Sequence, residues 1–204
     1  HRSALELLTK ARELAGELCE ETSALLLGES VSHLAETLGE YGAKTVYLAE
    51  DKALAEYRTS AYTKVVSECL ETHKPNIFLM GATGPGRDLA PRIARRMGLG
   101  LTADCTELSI DPKEKILLQT RPAFGGNVMA TIVSLYSRPQ MATVRPGVME
   151  AKPDPVPENR VIRLNIGFSS GEIKESILER VITEREGVDL SKAKVIVAGG
   201  RGVG

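Results

Sequence analysis

The 204-residue sequence contains no tryptophan, and aromatic residues make up 4% of it. So few aromatic side chains argue against a stacking platform for single-stranded nucleic acid. The 26 basic residues are balanced by 27 acidic ones, which indicates neither a nucleic-acid surface nor one for anionic membranes. No run approaches the roughly 20 apolar residues of a membrane span. We therefore expect no nucleic-acid partner and no direct membrane span.

Cysteine is also scarce. Cys19, Cys69 and Cys105 lie far apart and form no C-x-x-C pair. A disulfide framework or zinc site is not expected from this pattern, and a reducing compartment fits it best.

The sequence lacks a recognisable catalytic constellation. His1, His33 and His73 are scattered in polar surroundings and read as surface residues. No spacing suits a metal, and no G-x-S-x-G elbow is present. Asp104-Cys105 is predicted to lie in a turn, with a structural thiol. The chain is therefore expected to supply no acid/base or metal chemistry of its own, and whether it counts as an enzyme stays open.

Apolar runs alternate with amphipathic stretches over the first hundred residues. This order predicts a three-layer, Rossmann-like α/β fold with a mostly parallel sheet covered on both faces. The predicted strands are Ser23–Gly28, Lys44–Ala49 and Asn76–Gly81, and the predicted helices lie near Ser32–Tyr41, Ser60–Thr72 and Arg87–Met97.

After Leu101 the pattern changes to short β-prone segments separated by turn residues, which predicts an added β segment over residues 101–150. A further strand and a helix complete the unit. The predicted segments are Thr106–Ile110, Lys115–Thr120, Val128–Leu135, Gln140–Arg145, the strand Arg160–Ile166 and the helix Ile173–Glu184.

Both ends of the sequence suggest a portion of a longer protein. The first helix, with Ser3 as the expected N-cap, has no strand before it. At the other end, a strand at Lys194–Ala198 runs into a glycine loop that normally leads to a helix. We expect one α/β domain over residues 1–186, and a linker with the first strand and loop of a truncated second domain over residues 187–204.

The loop from Gly81 to Asp88 joins a strand to a helix, where backbone N–H groups can cradle an anion. Its sequence, GATGPGRD, is neither a Walker A loop nor G-x-G-x-x-G. The simpler interpretation is a tight turn in which Asp88 stabilises the start of the helix. We favour the turn over direct nucleotide binding.

The segment Arg121–Asn127, at the end of a predicted strand, combines a positive charge, a pair of glycines that leave space for a ligand, and an asparagine that can form hydrogen bonds. Gly125 and Gly126 permit positive φ and the close approach of a flat ligand, which Arg121 and Asn127 would contact. A hairpin turn with a solvated arginine is the alternative. Arg138 and Arg145 repeat the Arg-Pro pattern, so the three arginines either form one positive patch or pair with nearby carboxylates.

The motifs GRDLAPRIA, LTADCTELSID, RPAFGGNVMATI and RPQMATVRPGVM, followed by VIVAGGRG at the end, occur in this order. Together they make the whole chain resemble the electron transfer flavoprotein alpha subunit. The resemblance implies a domain that does not itself hold the flavin but packs against a homologous beta subunit. FAD would then be held mostly by a further C-terminal domain and by that partner.

The same resemblance implies which residues approach the flavins. Arg201, with Gly200 and Gly202, would contact FAD at the start of the second domain. The second expected group faces a flavin held mainly by the partner subunit; it consists of Arg121, Gly125, Gly126, Asn127 and Thr131.

Members of this family pass electrons from dehydrogenases towards a quinone oxidoreductase, or split the electrons of NADH between ferredoxin and a second acceptor. The residues of the motifs RPAFGGNVMATI and TADCTELSID resemble more closely those of the second, bifurcating type. A cytoplasmic location in a bacterium or archaeon is preferred to the mitochondrial matrix. One competing hypothesis is a free-standing nucleotide-binding module of the universal-stress-protein kind, which would need a complete phosphate loop that this sequence does not show. The other is a nucleotide hydrolase, which would need a base and metal ligands that the sequence does not offer.

Overall fold

A computed structural model of the protein describes residues 1–181, 193 and 195–203. Within these residues, helices and strands alternate along the first half of the chain, and short strands follow. The helices are α1 (Arg2–Leu18), α2 (Leu34–Glu40), α3 (Thr59–His73) and α4 (Gly84–Met97). The strands are β1 (Ser23–Gly28), β2 (Thr45–Glu50), β3 (Ile77–Gly81), β4 (Leu101–Cys105), β5 (Glu107–Ile110), β6 (Leu117–Ala123), β7 (Val128–Ile132), β8 (Gln140–Val144) and β9 (Arg160–Arg163).

The described strands form three sheets of three strands each. In the first sheet β2 lies between β1 and β9, and in the second β8 lies between β3 and β4. All pairs in these two sheets are parallel. The third sheet, β5–β6–β7, is an antiparallel meander. The prediction of a mostly parallel α/β fold with an added β segment is confirmed.

Side chains of β1 alternate between two cores, one on each face of its sheet. Ala24 and Leu26 pack with α1 and α2. Leu25 and Leu27 pack on the opposite face, with α3 and α4. Because successive residues of a strand point to opposite faces, a continuously apolar strand needs helices on both sides. This alternation produces the three layers.

One buried glutamine connects the antiparallel sheet to the parallel one. Gln140, at the start of β8, accepts a hydrogen bond from the backbone N–H of Leu117 through Oε1, at 2.9 Å. Its Nε2 donates to Asn76 Oδ1 at 3.3 Å. Leu117 itself belongs to a buried cluster that also includes Leu14 of α1 and Val144 of β8. The antiparallel sheet is thus anchored at one end, which fixes where its hairpin projects.

The observed ends of the helices and strands differ from the predicted ends by no more than three residues. The exceptions are the helix Ile173–Glu184 and the strand Lys194–Ala198, which are corrected below. α1 begins differently from expectation, because His1 rather than Ser3 is its N-cap. The His1 Nδ1 atom accepts from the backbone N–H of Ser3 at 3.2 Å. Among the described residues, no helix combines the length and the apolar character that crossing a bilayer requires.

The predicted helix Ile173–Glu184 is wrong over its described part, because residues 173–181 contain no regular secondary structure. Side chains that would form its apolar face are exposed, Leu178 at 94% and Val181 at 75%. A short amphipathic helix is stable chiefly through packing of that face. Ile173 packs against the buried cluster under α3, but the later apolar side chains have no surface to pack against, and the pattern does not produce a helix.

The predicted strand Lys194–Ala198 is likewise not formed in its described residues, 195–198. Val195 and Val197 are 82% and 95% exposed, and an extended segment without a neighbouring strand leaves its backbone groups unpaired. The predicted boundary between residues 186 and 187 lies outside the described residues. So does the linker Gly187–Lys194, except for Ala193.

The segment that follows β9 is held to α3 by polar contacts. Lys64 Nζ lies 2.6 Å from Glu172 Oε2 and 5.5 Å from the ring centre of Phe168. The backbone N–H of Ser60, in the first turn of α3, donates to Glu175 Oε1 at 3.1 Å. The segment therefore follows the helix without adding a strand or helix of its own.

Candidate functional site

The segment Arg121–Asn127 forms the end of a β-hairpin, as one of the two sequence interpretations predicted. β6 and β7 pair antiparallel, with Ala123 opposite Val128. The turn between them has positive φ at three successive residues: Phe124 (49°), Gly125 (71°) and Gly126 (95°). Two of the three are glycines because residues with a Cβ seldom adopt this conformation.

The tip of this hairpin is open. A Cβ added to Gly125 or Gly126 would meet no other atom within 4 Å. Asn127 is exposed beside them. Nothing within the described chain therefore requires these glycines to be small, and the clearance that they provide is available to a ligand or a partner.

The predicted site residues divide between the two faces of the hairpin. Arg121 pairs with Ala130, whereas Thr131 pairs with Thr120, so the side chains of Arg121 and Thr131 point to opposite faces. The hydroxyl groups of Thr131 and Thr120 lie 2.8 Å apart, within hydrogen-bonding distance. Arg121 is half-buried, and its Nε donates to the carbonyl oxygen of Pro122 at 3.4 Å. The structure brings Arg121 to the glycine tip but leaves Thr131 on the other side.

Arginines gather around Asp104 at the carboxyl ends of β4 and β8. Arg145 binds this carboxylate through two atoms, with Nη2 2.7 Å from Oδ2 and Nε 3.3 Å from Oδ1. Arg87, in the first turn of α4, places Nη2 3.6 Å from Oδ1. Arg121 adds a through-space attraction to Asp104. We call Arg87, Arg121 and Arg145 the arginine cluster.

The positive charge of the arginine cluster exceeds the single negative charge of the Asp104 carboxylate. The hydrogen bond from Arg145, followed by the positive charges of Arg145, Arg87 and Arg121, holds the pKa of Asp104 below its ordinary value. Asp104 is therefore ionised near neutral pH. Two guanidinium groups contact this one carboxylate and the charge of Arg121 acts on it from further away, which leaves this edge of the sheet positive and suits an anionic or electron-rich ligand.

Sequence reasoning placed Arg138 in this patch and missed Arg87. Arg138 precedes β8, at the opposite end from Arg145, and its Nη1 donates to the carbonyl oxygens of Ser134 and Ser137 at 3.1 and 2.9 Å. The sequence predicts no role for Arg87, which lies in the Gly81–Asp88 loop. The parallel order of strands was the available signal, since carboxyl ends of parallel strands share one edge.

A bulge places Asp104 in the cluster. The pairing of β4 with β8 shifts between Thr102 and Cys105, and Asp104 adopts a positive φ of 62°. Its backbone N–H donates to Thr143 Oγ1 at 2.9 Å. The neighbouring Cys105 is fully buried, and burial raises the pKa of its thiol to about 11, as expected of a structural thiol.

The Gly81–Asp88 loop is a tight turn that opens α4. Thr83 caps the helix by accepting from the N–H of Gly86 at 3.3 Å. A Cβ on Gly86 would lie 1.9 Å from the Gly81 carbonyl oxygen, so only glycine fits there. Asp88 accepts from the Tyr57 and Thr59 hydroxyls, and these bonds, Thr59's first, hold its pKa below the ordinary value. These internal bonds favour the turn interpretation.

Arg201 lies in a short 3₁₀ turn, Arg201–Val203, and is exposed. Gly200 accepts a hydrogen bond from the backbone N–H of Val203 at 3.1 Å. No hydrogen bond links Arg201 or Gly202 to the hairpin in the part of the chain that the structure describes. The two groups of predicted flavin contacts are therefore separate here.

The histidines have local roles. His73 stacks on Tyr47 with ring centres 4.0 Å apart, and His33 Nδ1 lies 3.2 Å from the Ser30 carbonyl oxygen. His1 caps α1. Among the described residues, no group of three or more histidine, cysteine or carboxylate side chains is placed to hold a metal ion.

Exposed apolar side chains cover the outer part of the hairpin and the loop after it. Val128 and Met129 are 50% and 55% exposed, Phe124 is 85%, Leu135 is 52% and Tyr136 is 95%. β7 is also the edge of its sheet, so one row of its backbone groups is unpaired. Exposed apolar side chains beside a free strand edge are typical of a protein–protein interaction site.

The model of the electron transfer flavoprotein domain family matches residues 1–166 of the chain. The chain is 46% identical over 201 residues to Protein FixB of Clostridium saccharobutylicum, covering 98% of this chain and 60% of the relative. It is 45% identical over 204 residues to the electron transfer flavoprotein subunit alpha of Clostridium acetobutylicum, covering 98% and 61%. Subunit LctC of a lactate dehydrogenase (NAD(+),ferredoxin) of Acetobacterium woodii is 42% identical over 205 residues, covering 100% and 48%. The chain thus spans well under two thirds of the length of these relatives.

Proposed function

The chain belongs to the electron transfer flavoprotein domain family, and on that premise we propose that it is the partner-binding part of an alpha-type subunit. Its role would be to dock a second flavoprotein subunit, of the beta type, and to place the arginine cluster beside a flavin. This assignment suits an α/β domain that carries a positive site and, within its described residues, no group of three or more side chains placed to hold a metal ion. FAD would supply the electron-transfer chemistry, as cofactors do in redox proteins.

The observation that carries the proposal is the position of Arg121. It lies on the strand that leads into the open Gly125-Gly126 tip, and it belongs to a cluster with excess positive charge. A guanidinium beside a flavin stabilises the extra negative charge of the reduced ring system, and the glycines let the ring approach the backbone. Asn127 adds a donor and an acceptor at the same tip. Arg121, Gly125, Gly126 and Asn127 thus fit the edge of a flavin held mainly by the partner.

Thr131 would act differently from the other proposed contacts. Its side chain points away from Arg121 and bonds with Thr120. We assign it to the face of the hairpin that packs against the partner protein rather than to the charge-stabilising face.

The proposed test replaces Arg121 with Ala in the full-length subunit assembled with its partner. Losing the positive charge should destabilise the reduced form of the adjacent flavin by about 1–3 kcal/mol, the value of a lost charged hydrogen bond. The reduction potential of that flavin should therefore fall. For a two-electron couple this corresponds to roughly 20–65 mV. Arg138→Ala is the matched control, because it removes an equal charge at the far end of β8. Unchanged potentials for every flavin in the complex would refute the proposal.

Arg201, Gly200 and Gly202 are proposed to contact FAD once a complete second domain surrounds them. Glycines after an apolar segment at the carboxyl edge of an α/β sheet are a common cofactor position. Arg201→Ala in the full-length complex should weaken FAD retention by about 10–100-fold, the equivalent of one charged hydrogen bond. Arg180→Ala, an exposed arginine of the same C-terminal part, should leave retention unchanged. Equal FAD content in both variants would remove Arg201 from the site.

The finer assignment concerns the electron partners. One similar protein is named as a subunit of a lactate dehydrogenase that uses NAD(+) and ferredoxin. Another, 38% identical, is named as an electron transfer subunit of acryloyl-CoA reductase. We infer that this chain serves a dehydrogenase-linked complex of the bifurcating type, with NADH and ferredoxin among its partners. A quinone oxidoreductase acceptor and a cytoplasmic location remain predictions from the sequence.

A further inference from the structure

Asp104 carries the negative charge that two members of the arginine cluster bind. Arg145 Nη2 lies 2.7 Å from Oδ2, and Arg145 Nε lies 3.3 Å from Oδ1. Arg87 Nη2 lies 3.6 Å from Oδ1. A carboxylate that binds a guanidinium through both oxygens fixes the orientation of that group as well as its position. Asp104 therefore determines where the guanidinium groups of Arg145 and Arg87 lie.

The two residues that follow Asp104 are bonded to the segments that carry the other arginines. The carbonyl oxygen of Cys105 accepts from the backbone N–H of Arg145 at 2.9 Å. The backbone N–H of Thr106 donates, also at 2.9 Å, to the carbonyl oxygen of the residue before Arg121. Asp104 is thus fixed between the end of β8 and β6. Its distance from both parts of the arginine cluster is set by the sheet backbone.

The backbone of Asp104 adopts a conformation that few residues tolerate. Its φ is 62°, in the left-handed region, and the pairing of β4 with β8 shifts between Thr102 and Cys105. The hydroxyl of Thr143, which is 2% exposed, holds this conformation by accepting from the Asp104 backbone N–H at 2.9 Å. Strained residues persist only where their surroundings fix them, and they cluster at functional sites. The fold thus keeps this carboxylate in one place.

Stability of the fold is a weak reason for this arrangement. The side chains of Arg145 and Arg87 are 44% and 64% exposed, and exposed ion pairs contribute little to the free energy of unfolding. A surface arginine needs no strained partner, because water solvates its charge. The strained carboxylate therefore points to a function of the charge itself.

We propose that Asp104 is a positioning residue that sets the reduction potential of the flavin beside the arginine cluster. It holds Arg145 and Arg87 on its carboxylate and offsets part of their positive charge. The flavin then meets less positive charge than three unpaired guanidinium groups would supply. This inference rests on the proposed function, in which a flavin held mainly by the partner subunit lies at Arg121 and the glycine tip. It adds the residue of opposite charge that limits the effect of the arginines.

The two signs of charge act on the flavin in opposite directions. A guanidinium stabilises the extra negative charge of the reduced ring system, and a carboxylate destabilises it. Neutralising Arg121 should therefore lower the reduction potential, whereas neutralising Asp104 should raise it. Loss of local structure alone does not raise the potential, since displaced arginines stabilise the reduced flavin less. The direction of the shift thus distinguishes a charge-setting role from a structural one.

Reduction potentials measured in the full-length subunit assembled with its partner test the proposal. The Asp104→Asn variant is compared with Arg121→Ala and with the unmodified complex. Asparagine has the shape of aspartate and tolerates positive φ, so it removes the charge and keeps the backbone conformation. The reduced form of the nearby flavin should become about tenfold more stable relative to the oxidised form. For a two-electron couple this is a rise of about 30 mV.

Two further variants serve as controls. Asp154 Oδ2 lies 3.1 Å from Arg12 Nε, and the Asp154 backbone is bonded to the end of α2, so Asp154→Asn removes the same charge from an ion pair outside the arginine cluster. This variant should leave the potential unchanged. The double variant Asp104→Asn/Arg145→Gln removes an arginine together with its counter-charge, and its potential should return to that of the unmodified complex. It also replaces the single variant if that one assembles poorly, because both members of the ion pair are then neutral.

A rise with Asp104→Asn and no change with Asp154→Asn support the proposal. An unchanged or lower potential with Asp104→Asn, an equal rise with Asp154→Asn, or a double variant that differs from the unmodified complex would overturn it. If Arg121→Ala still lowered the potential in such a case, the proposed function would stand without this inference. If neither Arg121→Ala nor Asp104→Asn shifted any flavin potential, both would fail together.

Discussion

Two strands of nearly the same sequence have opposite environments in this molecule. β7 reads VMATI and β8 reads QMATV, yet Met129 of β7 is 55% exposed whereas Met141 of β8 is 1% exposed. β8 lies at the centre of a parallel sheet covered by helices, and β7 forms the edge of an antiparallel sheet. Composition therefore does not decide burial here; position in the sheet does. The parallel region buries its apolar side chains, and the hairpin leaves the same kinds of side chain exposed.

The largest expected effect comes from truncating the two methionines. Met141→Ala should lower the free energy of unfolding by about 2–5 kcal/mol, because it leaves a cavity among Leu89, Ile93 and other buried residues. Met129→Ala should change it by no more than about 0.5 kcal/mol, as a surface substitution does. Chemical denaturation of both variants, with unchanged m-values, is the measurement. Similar losses for the two would mean that the hairpin belongs to the core.

An intermediate effect is expected on partner binding. Met129→Glu places a charge in the exposed apolar surface and should weaken binding of the beta-type subunit by about 30-fold, or about 2 kcal/mol. Val161→Glu is the matched control, since Val161 is 43% exposed and also lies on an edge strand, β9. Titration calorimetry or a concentration series of assembled complex would measure both. If the Val161 variant lost as much affinity, the hairpin would not be the docking surface.

The smallest effect concerns the charge of Asp104, which pairs with Arg145 and Arg87 at one edge of the parallel sheet. The pKa of Asp104 is lowered in the folded protein, so its ion pairs add stability above the unfolded pKa of about 4. That stability is lost as the pH falls through the lower, folded pKa. The Asp104 side chain is 27% exposed, so the contribution is about 0.5–1 kcal/mol.

Denaturation of Asp104→Asn and of the unmodified protein at several pH values measures this contribution. The two proteins should differ at pH 7, the difference should shrink as the pH falls below about 4, and it should vanish once the pH is below the lowered pKa of the folded Asp104. Glu150→Gln is a control with the same charge change, because Glu150 pairs with Lys152 in an exposed position. A difference that stayed constant down to acidic pH would contradict the ion-pair account.

Most of the parallel region was predictable from sequence because local signals and burial agree there. The run Ser23–Gly28 is apolar throughout, and β1 has the bounds predicted for it. α4 begins three residues earlier than predicted, because Thr83 supplies the cap while the glycines and proline that follow are poor local helix signals. The predicted helix from Ile173 shows the converse, because its later apolar side chains, Leu178 and Val181, have helical spacing but no surface to pack against.

The candidate site was only half predictable. The glycine tip and Arg121 can be recognised in the sequence, because a turn is specified by residues that are adjacent in the chain. The arginine cluster is not local, since Arg87 and Arg145 meet only when β8, late in the chain, inserts between β3 and β4. Nor could the opposite orientation of Thr131 be read without the register of β6 and β7, because one step in register exchanges the two faces.

The contacts between α3 and the segment after β9 make one part of that segment more sensitive to salt than the other. Phe168 and Ile173 pack against the buried cluster that includes Ala61 and Val65 of α3. Arg180, further along, is held by an exposed ion pair with Glu56. The screening length falls from about 10 Å at 0.1 M salt to about 3 Å at 1 M. Raising the ionic strength should therefore loosen the segment around Arg180 while its packed beginning stays on α3.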